Sequence, residues 1–160
     1  MTTSLNSSRP VLDQDSRSGQ SRIATLTAST IITQESHDCK PLLMGASGAA
    51  LTFTLPAALG TGAKFKFMVS VVNTSNYLIK VANATDTMDG KVLSAADTDD
   101  TVRGWETAAD SDTITLNGTT TGGVSIGDYV ELEDIASGQW AVSGGTTSSG
   151  AEATPFSATV

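Results

Sequence analysis

The chain has 160 residues, with 17 acidic side chains against 9 lysines and arginines and a formal net charge of −8. That length suits one domain with its own core, and the acidic balance argues against a sequence-independent nucleic-acid binder, which needs clustered cations against phosphate. Cys39 is the only cysteine, so no intrachain disulfide forms, and no apolar run approaches the roughly 20 residues of a membrane-spanning helix.

Residues 1–22 are polar and Ser-rich, without periodicity, and carry Arg9, Arg17 and Arg22 against Asp13 and Asp15. They lack the apolar stretch of a signal peptide, so the expectation is a protein made and assembled in a reducing cytoplasm. Such a segment cannot bury enough apolar surface to offset its chain entropy. It is read as an extended N-terminal arm that orders on a partner.

From residue 23 the character changes. "RIATLTASTIITQES" alternates apolar and Thr positions, as a half-buried strand does. "CKPLLMG" and "ALTFTLP" read as a hairpin turning at Ser47-Gly48, with Leu51, Phe53 and Leu55 on one face and Pro56 ending the strand. After the loop "AALGTGA", "KFKFMVSVV" places Phe65, Phe67, Val69 and Val71 on alternate positions, and "YLIKVAN" runs back after the turn "NTSN". Phe53, Phe65, Phe67, Val69, Leu78, Val81 and Trp140 are the candidate core and packing residues.

An acidic stretch follows, with eight acids from Asp86 to Asp112 against Lys91 and Arg103. Within it "MDGKVLS" and "TVRGWET" are weak strand candidates. "DTITLNG", "IGDYVELEDI" and "QWAVSGG" then alternate wet and dry positions, the mark of antiparallel sheet. Thr, Ser and Gly supply 24, 19 and 15 residues, a composition that favours extended backbone and tight turns. The predicted fold is all-β: an antiparallel, jelly-roll-like β-sandwich or barrel of about eight to ten short strands. The arm spans 1–22, the body 23–146, and a Gly/Ser/Thr-rich tail 147–160.

Reactive chemistry is scarce. His37, the single histidine, stands two residues from Cys39, but nothing nearby orients a base or forms an oxyanion site; the expected state is an exposed loop end with a small buried thiol. "LGTGAKF", residues 59–65, resembles a phosphate-binding loop only faintly, and with a strand following it no amide cradle is expected. Asn83, Asp86, Asp89, Asp97, Asp99 and Asp100 offer oxygens for calcium, but their spacing is not that of an EF-hand, and a solvated acidic loop is expected. No catalytic residue, metal site or cofactor is assigned, and no enzymatic role is expected.

Three passages together carry a resemblance: "LTFTLPAALGTGAKFKFMVSVVNTSNYLIKVAN", "DTITLNGTTTGGVSIGDYVELEDIASGQWAVSGG" and the ending "SSGAEATPFS". Over roughly residues 25–157 the chain resembles small structural proteins of tailed bacteriophages, of the capsid decoration (cement) or head-fibre type. The resemblance implies a virion protein on the capsid exterior, a homo-oligomer with a trimer favoured, whose partner is the major capsid protein. Neither nucleic acid nor membrane is an expected partner. Arg9, Arg17 and Arg22 are the candidate capsid-binding residues. The competing expectation is a carbohydrate- or receptor-binding module of a tail or head fibre. That reading needs exposed aromatic rings among Tyr77, Trp105, Tyr129 and Trp140.

Overall fold

The structure, a computed structural model, describes residues 22–160; Arg9 and Arg17 lie outside them. Twelve strands and one short helix occur among the described residues. In chain order they are β1 (Ala24–Leu26), β2 (Thr30–Ile31), α1 (Gln34–His37), β3 (Pro41–Met44), β4 (Leu51–Thr54), β5 (Lys64–Val69) and β6 (Tyr77–Lys80). There follow β7 (Thr87–Ala96), β8 (Val102–Glu106), β9 (Thr113–Leu116), β10 (Tyr129–Ala136), β11 (Gln139–Ser148) and β12 (Phe156–Ser157).

These strands form two packed sheets, the expected all-β sandwich. A seven-stranded sheet has the order β1-β3-β5-β10-β11-β7-β8, and a five-stranded sheet the order β12-β9-β6-β4-β2. From β1 to β7 the chain changes sheet at every strand. Each turn of this winding lays one strand in each layer, so β1, β3 and β5 run parallel, as do β2, β4 and β6. The later strands β9, β10 and β12 add in antiparallel fashion, and β11 runs parallel to β7. The sheets are therefore mixed where antiparallel, jelly-roll-like ones were expected.

The expected hairpins are corrected for the same reason. β3 and β4 do not pair across Ser47-Gly48, and β5 and β6 do not pair across residues 73–76; in each case the two strands belong to different sheets. A strand that buries alternate residues shows the same pattern whether its successor lies beside it or opposite it. The alternating run from residue 23 likewise splits into β1 and β2, one in each sheet.

Across the core, Phe53 on β4 stacks on Phe67 on β5 with ring centroids 5.7 Å apart, and within its own sheet Phe53 meets Tyr77 of the neighbouring β6 at 6.0 Å. Trp140 packs on Phe65 at 5.7 Å. Phe53, Phe65, Phe67, Val69, Val81 and Trp140 are all buried. Leu78 is not: β6 turns Tyr77 and Ile79 inward, leaving Leu78 half-buried on the outer side. Leu78 and Val81 are an odd number of residues apart, so a period of two cannot place both inside.

Two further features lock the layers. The Tyr77 hydroxyl donates to the Val71 carbonyl at 2.7 Å and accepts from the Ala46 amide at 3.2 Å, tying together two of the sheet-to-sheet crossings. On β7, Gly90 sits at φ 148°, and a Cβ there would lie 2.0 Å from the Val142 carbonyl of β11. Only glycine lets those parallel strands close.

The segment 147–160 is part of the body. Residues 147 and 148 complete β11, β12 pairs with β9, and Phe156 is buried in the core. A boundary at 146 would cut a strand.

Phe67→Ala should cost about 3–5 kcal/mol, because it empties a fully buried ring site. Leu78→Ala should cost about 1 kcal/mol or less, since its side chain stays partly in water. Urea denaturation of both variants measures the contrast, and equal losses would contradict the assigned faces of β5 and β6.

Candidate functional site

Four aspartates are buried: Asp86, Asp112, Asp128 and Asp134, the last 2 % exposed. An ion removed from water needs donors, and each finds them in the chain. Asp134 belongs to the inward face of β10, level with Val130 and Leu132. Its carboxylate accepts from the amides of Leu59 (3.1 Å), Gly60 (2.7 Å) and Thr61 (2.9 Å), and from the Thr61 hydroxyl (2.8 Å). Gly60, at φ 75°, bends the loop so that successive amides converge. Residues 59–61 thus form an anion cradle, though not one for phosphate. Its anion is the protein's own carboxylate.

Asp112 holds residues 159 and 160. It accepts from the amides of Thr159 (2.8 Å) and Val160 (3.0 Å) and from the Thr113 hydroxyl (2.7 Å). Asp128 accepts from the Thr147 amide at 2.8 Å and hydroxyl at 3.0 Å, and Asp86 from the Ala58 amide at 3.0 Å. Burial by itself raises the pKa of Asp134 and Asp112. The hydrogen bonds, led by Thr61 for Asp134 and by Thr159 for Asp112, outweigh it and leave both carboxyls below their ordinary value.

The other candidate groups do not converge. His37 Nδ1 accepts from the Thr33 amide at 3.0 Å, while the Cys39 thiol turns to Asp38 Oδ1 at 3.4 Å. Cys39 is exposed, not buried as expected, because it sits at φ 55° in the turn after α1. The hydrogen bond to Asp38, then partial desolvation, raises its pKa and keeps the thiol protonated. Asn83 closes its own turn by accepting from the amides of Thr85 and Asp86, and Asp99 does the same for Thr101. Asp86 points inward to Ala58 while Asp89 is exposed on β7. Among the described residues no group of three or more His, Cys, Asp or Glu side chains could hold a metal ion. No helix among them is long and apolar enough to cross a membrane.

The aromatic rings are also committed. Tyr77 and Trp140 are buried. Tyr129 lies against Gly145 on one side, and Lys66 Nζ stands 4.3 Å from its ring centroid. Trp105 is half-buried against the core with its Nε1 buried.

What remains is surface. The outer face of the seven-stranded sheet gathers most of the chain's lysines. Lys64 and Lys66 on β5 and Lys40 before β3 border a shallow depression of about 240 Å³ with Cys39, Pro41 and Glu131. Exposed Arg22 precedes β1, and the parallel register Ala24↔Leu42, extended by two residues, sets it level with Lys40. The described chain therefore enters the body beside a cluster of lysines that is interleaved with Asp38, Glu131 and Glu133. Lys64 is paired with Glu133 at 3.0 Å, and Lys40 donates to the Ser36 carbonyl at 3.0 Å.

Comparison with family models, curated proteins and solved structures finds no match.

The inward Asp134 was the residue that sequence reasoning missed. Its signal was a carboxylate on the dry parity of β10, where only a satisfied ion can stand. The stability that Asp134 and Asp112 contribute is complete above the ordinary carboxyl value of about 4. It is lost as pH falls through their lowered folded-state values. Asp134→Asn, whose side-chain amide sets its own donors among the loop's donors, should cost roughly 2 kcal/mol or more at pH 7. Its deficit relative to the parent should shrink as pH falls below about 4. Denaturation midpoints measured from pH 7 to pH 2.5 test this; a deficit that does not change with pH would assign the loss to packing instead.

Proposed function

We propose that this protein is a virion structural component, a decoration (cement) protein of a tailed-bacteriophage head. In this reading it is made in the host cytoplasm, binds the major capsid protein lattice from outside and stabilises the DNA-filled shell. The role is mechanical, not catalytic.

The observation that supports the reading is the lysine cluster beside the entry of the chain. Four of the seven lysine and arginine side chains among the described residues, Arg22, Lys40, Lys64 and Lys66, lie around the point where the described chain enters, and Arg9 and Arg17 precede that point in sequence. An acidic exterior elsewhere limits wrong association before assembly. The sandwich behind it is held together by internal staples. The buried carboxylates are consumed in holding loops, which suits a rigid bracket. A carbohydrate- or receptor-binding module would need aromatic rings with a free face, and Tyr77, Trp105, Tyr129 and Trp140 are packed or capped.

Cement acts by linkage: a protein that binds only the assembled lattice shifts the balance away from disassembly. Each contact contributes modestly, but the lattice repeats it many times. Particles lacking the protein should therefore assemble with normal geometry yet release DNA at a lower temperature, while adsorbing to cells normally. Removing residues 1–21 should lower occupancy on particles and leave the thermal unfolding of the free body unchanged. Normal heat resistance with poor adsorption in depleted particles would transfer the assignment to a receptor-binding role. Undiminished occupancy after the deletion would remove the arm from the mechanism.

A further inference from the structure

The two sheets end in four strands, and three of them are short: β1 has three residues, β2 and β12 two each. The fourth, β8, has five, and no strand pairs beyond it among the described residues. Its ladder with β7 has a fixed phase. The Ala96 amide donates to the Thr101 carbonyl at 2.9 Å and the Thr107 amide to the Gly90 carbonyl at 3.1 Å. Between these bonds the register runs from Lys91↔Glu106 to Ala95↔Val102 without a shift. Hydrogen-bonded pairs alternate along an antiparallel ladder, so Arg103 and Trp105 turn their backbone groups toward β7. Val102, Gly104 and Glu106 turn theirs outward, three N–H donors and three C=O acceptors along one open edge.

The side chains leave that edge accessible. Gly104 at its centre has none, and a Cβ there would meet only Leu93 of β7, at 3.7 Å. Beside the gap stand Leu93, 52 % exposed, and Val102, 61 % exposed. No proline, lysine or bulge interrupts β8, the devices by which sheets block such an edge. On the inner face Trp105 is half-buried against the core, and its neighbour Arg103 is held by Glu152 at 2.7 Å. A strand laid along β8 would bond all three outward-facing residues. It would also set a side chain over Gly104 against Leu93, and cover Trp105 from the other face.

The charges around the edge decide what kind of strand fits. From residue 89 to 110 the exposed acids are Asp89, Asp97, Asp99, Asp100, Glu106 and Asp110, against Lys91 and Arg103. Lys91 is taken up by Glu106 at 3.8 Å and Arg103 by Glu152, so neither offsets the acids of the β7–β8 turn. A second copy would bring an edge of the same sign. We propose that the β8 edge binds an extended cationic segment of another protein, which joins the seven-stranded sheet antiparallel to β8. An apolar residue of that segment lies over Gly104, and basic residues lie opposite Glu106 and Asp100. The contact is separate from the attachment reading and uses none of its lysines.

The end-capped peptide Lys-Thr-Ile-Thr-Val-Thr-Lys, paired antiparallel, places its isoleucine opposite Gly104 and its lysines opposite Glu106 and Asp100. Titrated to about 5 mM into the isotope-labelled full chain and followed by NMR, it should bind with a Kd of about 1 mM, the strength of a short edge contact. The amide signals of Val102, Gly104 and Glu106 should move downfield as they gain acceptors, and that of Arg103, already bonded to β7, should move less. N-methylating the isoleucine, whose N–H meets the Gly104 carbonyl, should weaken binding about tenfold. N-methylating the second threonine, whose N–H points away from β8, should leave binding unchanged.

On the protein side, Glu106→Lys should weaken binding about threefold, as expected for one exposed charge reversed. Gly104→Pro removes an outward N–H and fills the gap, so it should abolish binding while the ladder to β7 persists. If the proline unfolds the chain, Glu106→Lys and the two N-methylated peptides still decide. Four results would each overturn the proposal: no movement of the three amides at the highest peptide concentration, equal loss from both N-methylations, no loss in Glu106→Lys, or equal binding of Glu-Thr-Ile-Thr-Val-Thr-Glu. Movement of the same amides when the free chain alone is raised to about 500 µM would make a second copy the occupant, and would overturn it too.

Discussion

A buried carboxylate is stable only where the chain brings donors to it, and this fold is organised around that demand. Thr/Ser/Gly-rich loops have little apolar surface with which to anchor themselves. Here they are anchored by charge instead: Asp134 collects loop 59–61, Asp128 ties the approach to β10 onto Thr147, and Asp112 holds residues 159 and 160. Each carboxylate accepts two or more bonds from groups distant in sequence, and hydrogen bonds to an ion are the stronger kind. A winding that changes sheet at every strand generates many crossings. Without such staples, each crossing would be a place where the layers separate.

The same architecture explains which parts of the fold were legible in the sequence. Strand positions were readable, because β5 and β10 each bury alternate residues and the period-two pattern survives any arrangement of neighbours. Strand partners were not. Phe53 and Phe67 lie opposite each other across the core, yet their strands alternate as they would in a hairpin. Which of the two arrangements forms depends on whether the intervening loop turns within a sheet or across to the other. The Ser47-Gly48 turn was correctly located and wrongly interpreted for this reason. Leu78 was misplaced by disregarding parity with Val81.

The candidate site was legible only in part. The scarcity of reactive residues could be read from composition, and so could the arm's arginines. The lysine cluster could not, because Lys40, Lys64 and Lys66 become neighbours only through the parallel register of β3 and β5. Asp134 looked like one more acid in a solvated strand, when its position among Val130 and Leu132 marked it as an internal anion. Gly90 likewise gave no sign that a carbonyl from β11 would occupy the space of its missing side chain.

Internal and external charges in this molecule respond to different conditions. The Asp134 and Asp112 contacts are buried and hydrogen-bonded, so salt screens them little and only acid removes them. The Lys64–Glu133 and Lys91–Glu106 pairs lie at the surface, where ionic strength weakens them. Raising salt should therefore weaken these surface pairs while leaving the sandwich folded. Lowering pH below the carboxyl range should undo the sandwich itself. The division follows from burial alone: a charge whose donors come from its own chain is committed to the fold, and one left in water remains available to a neighbour.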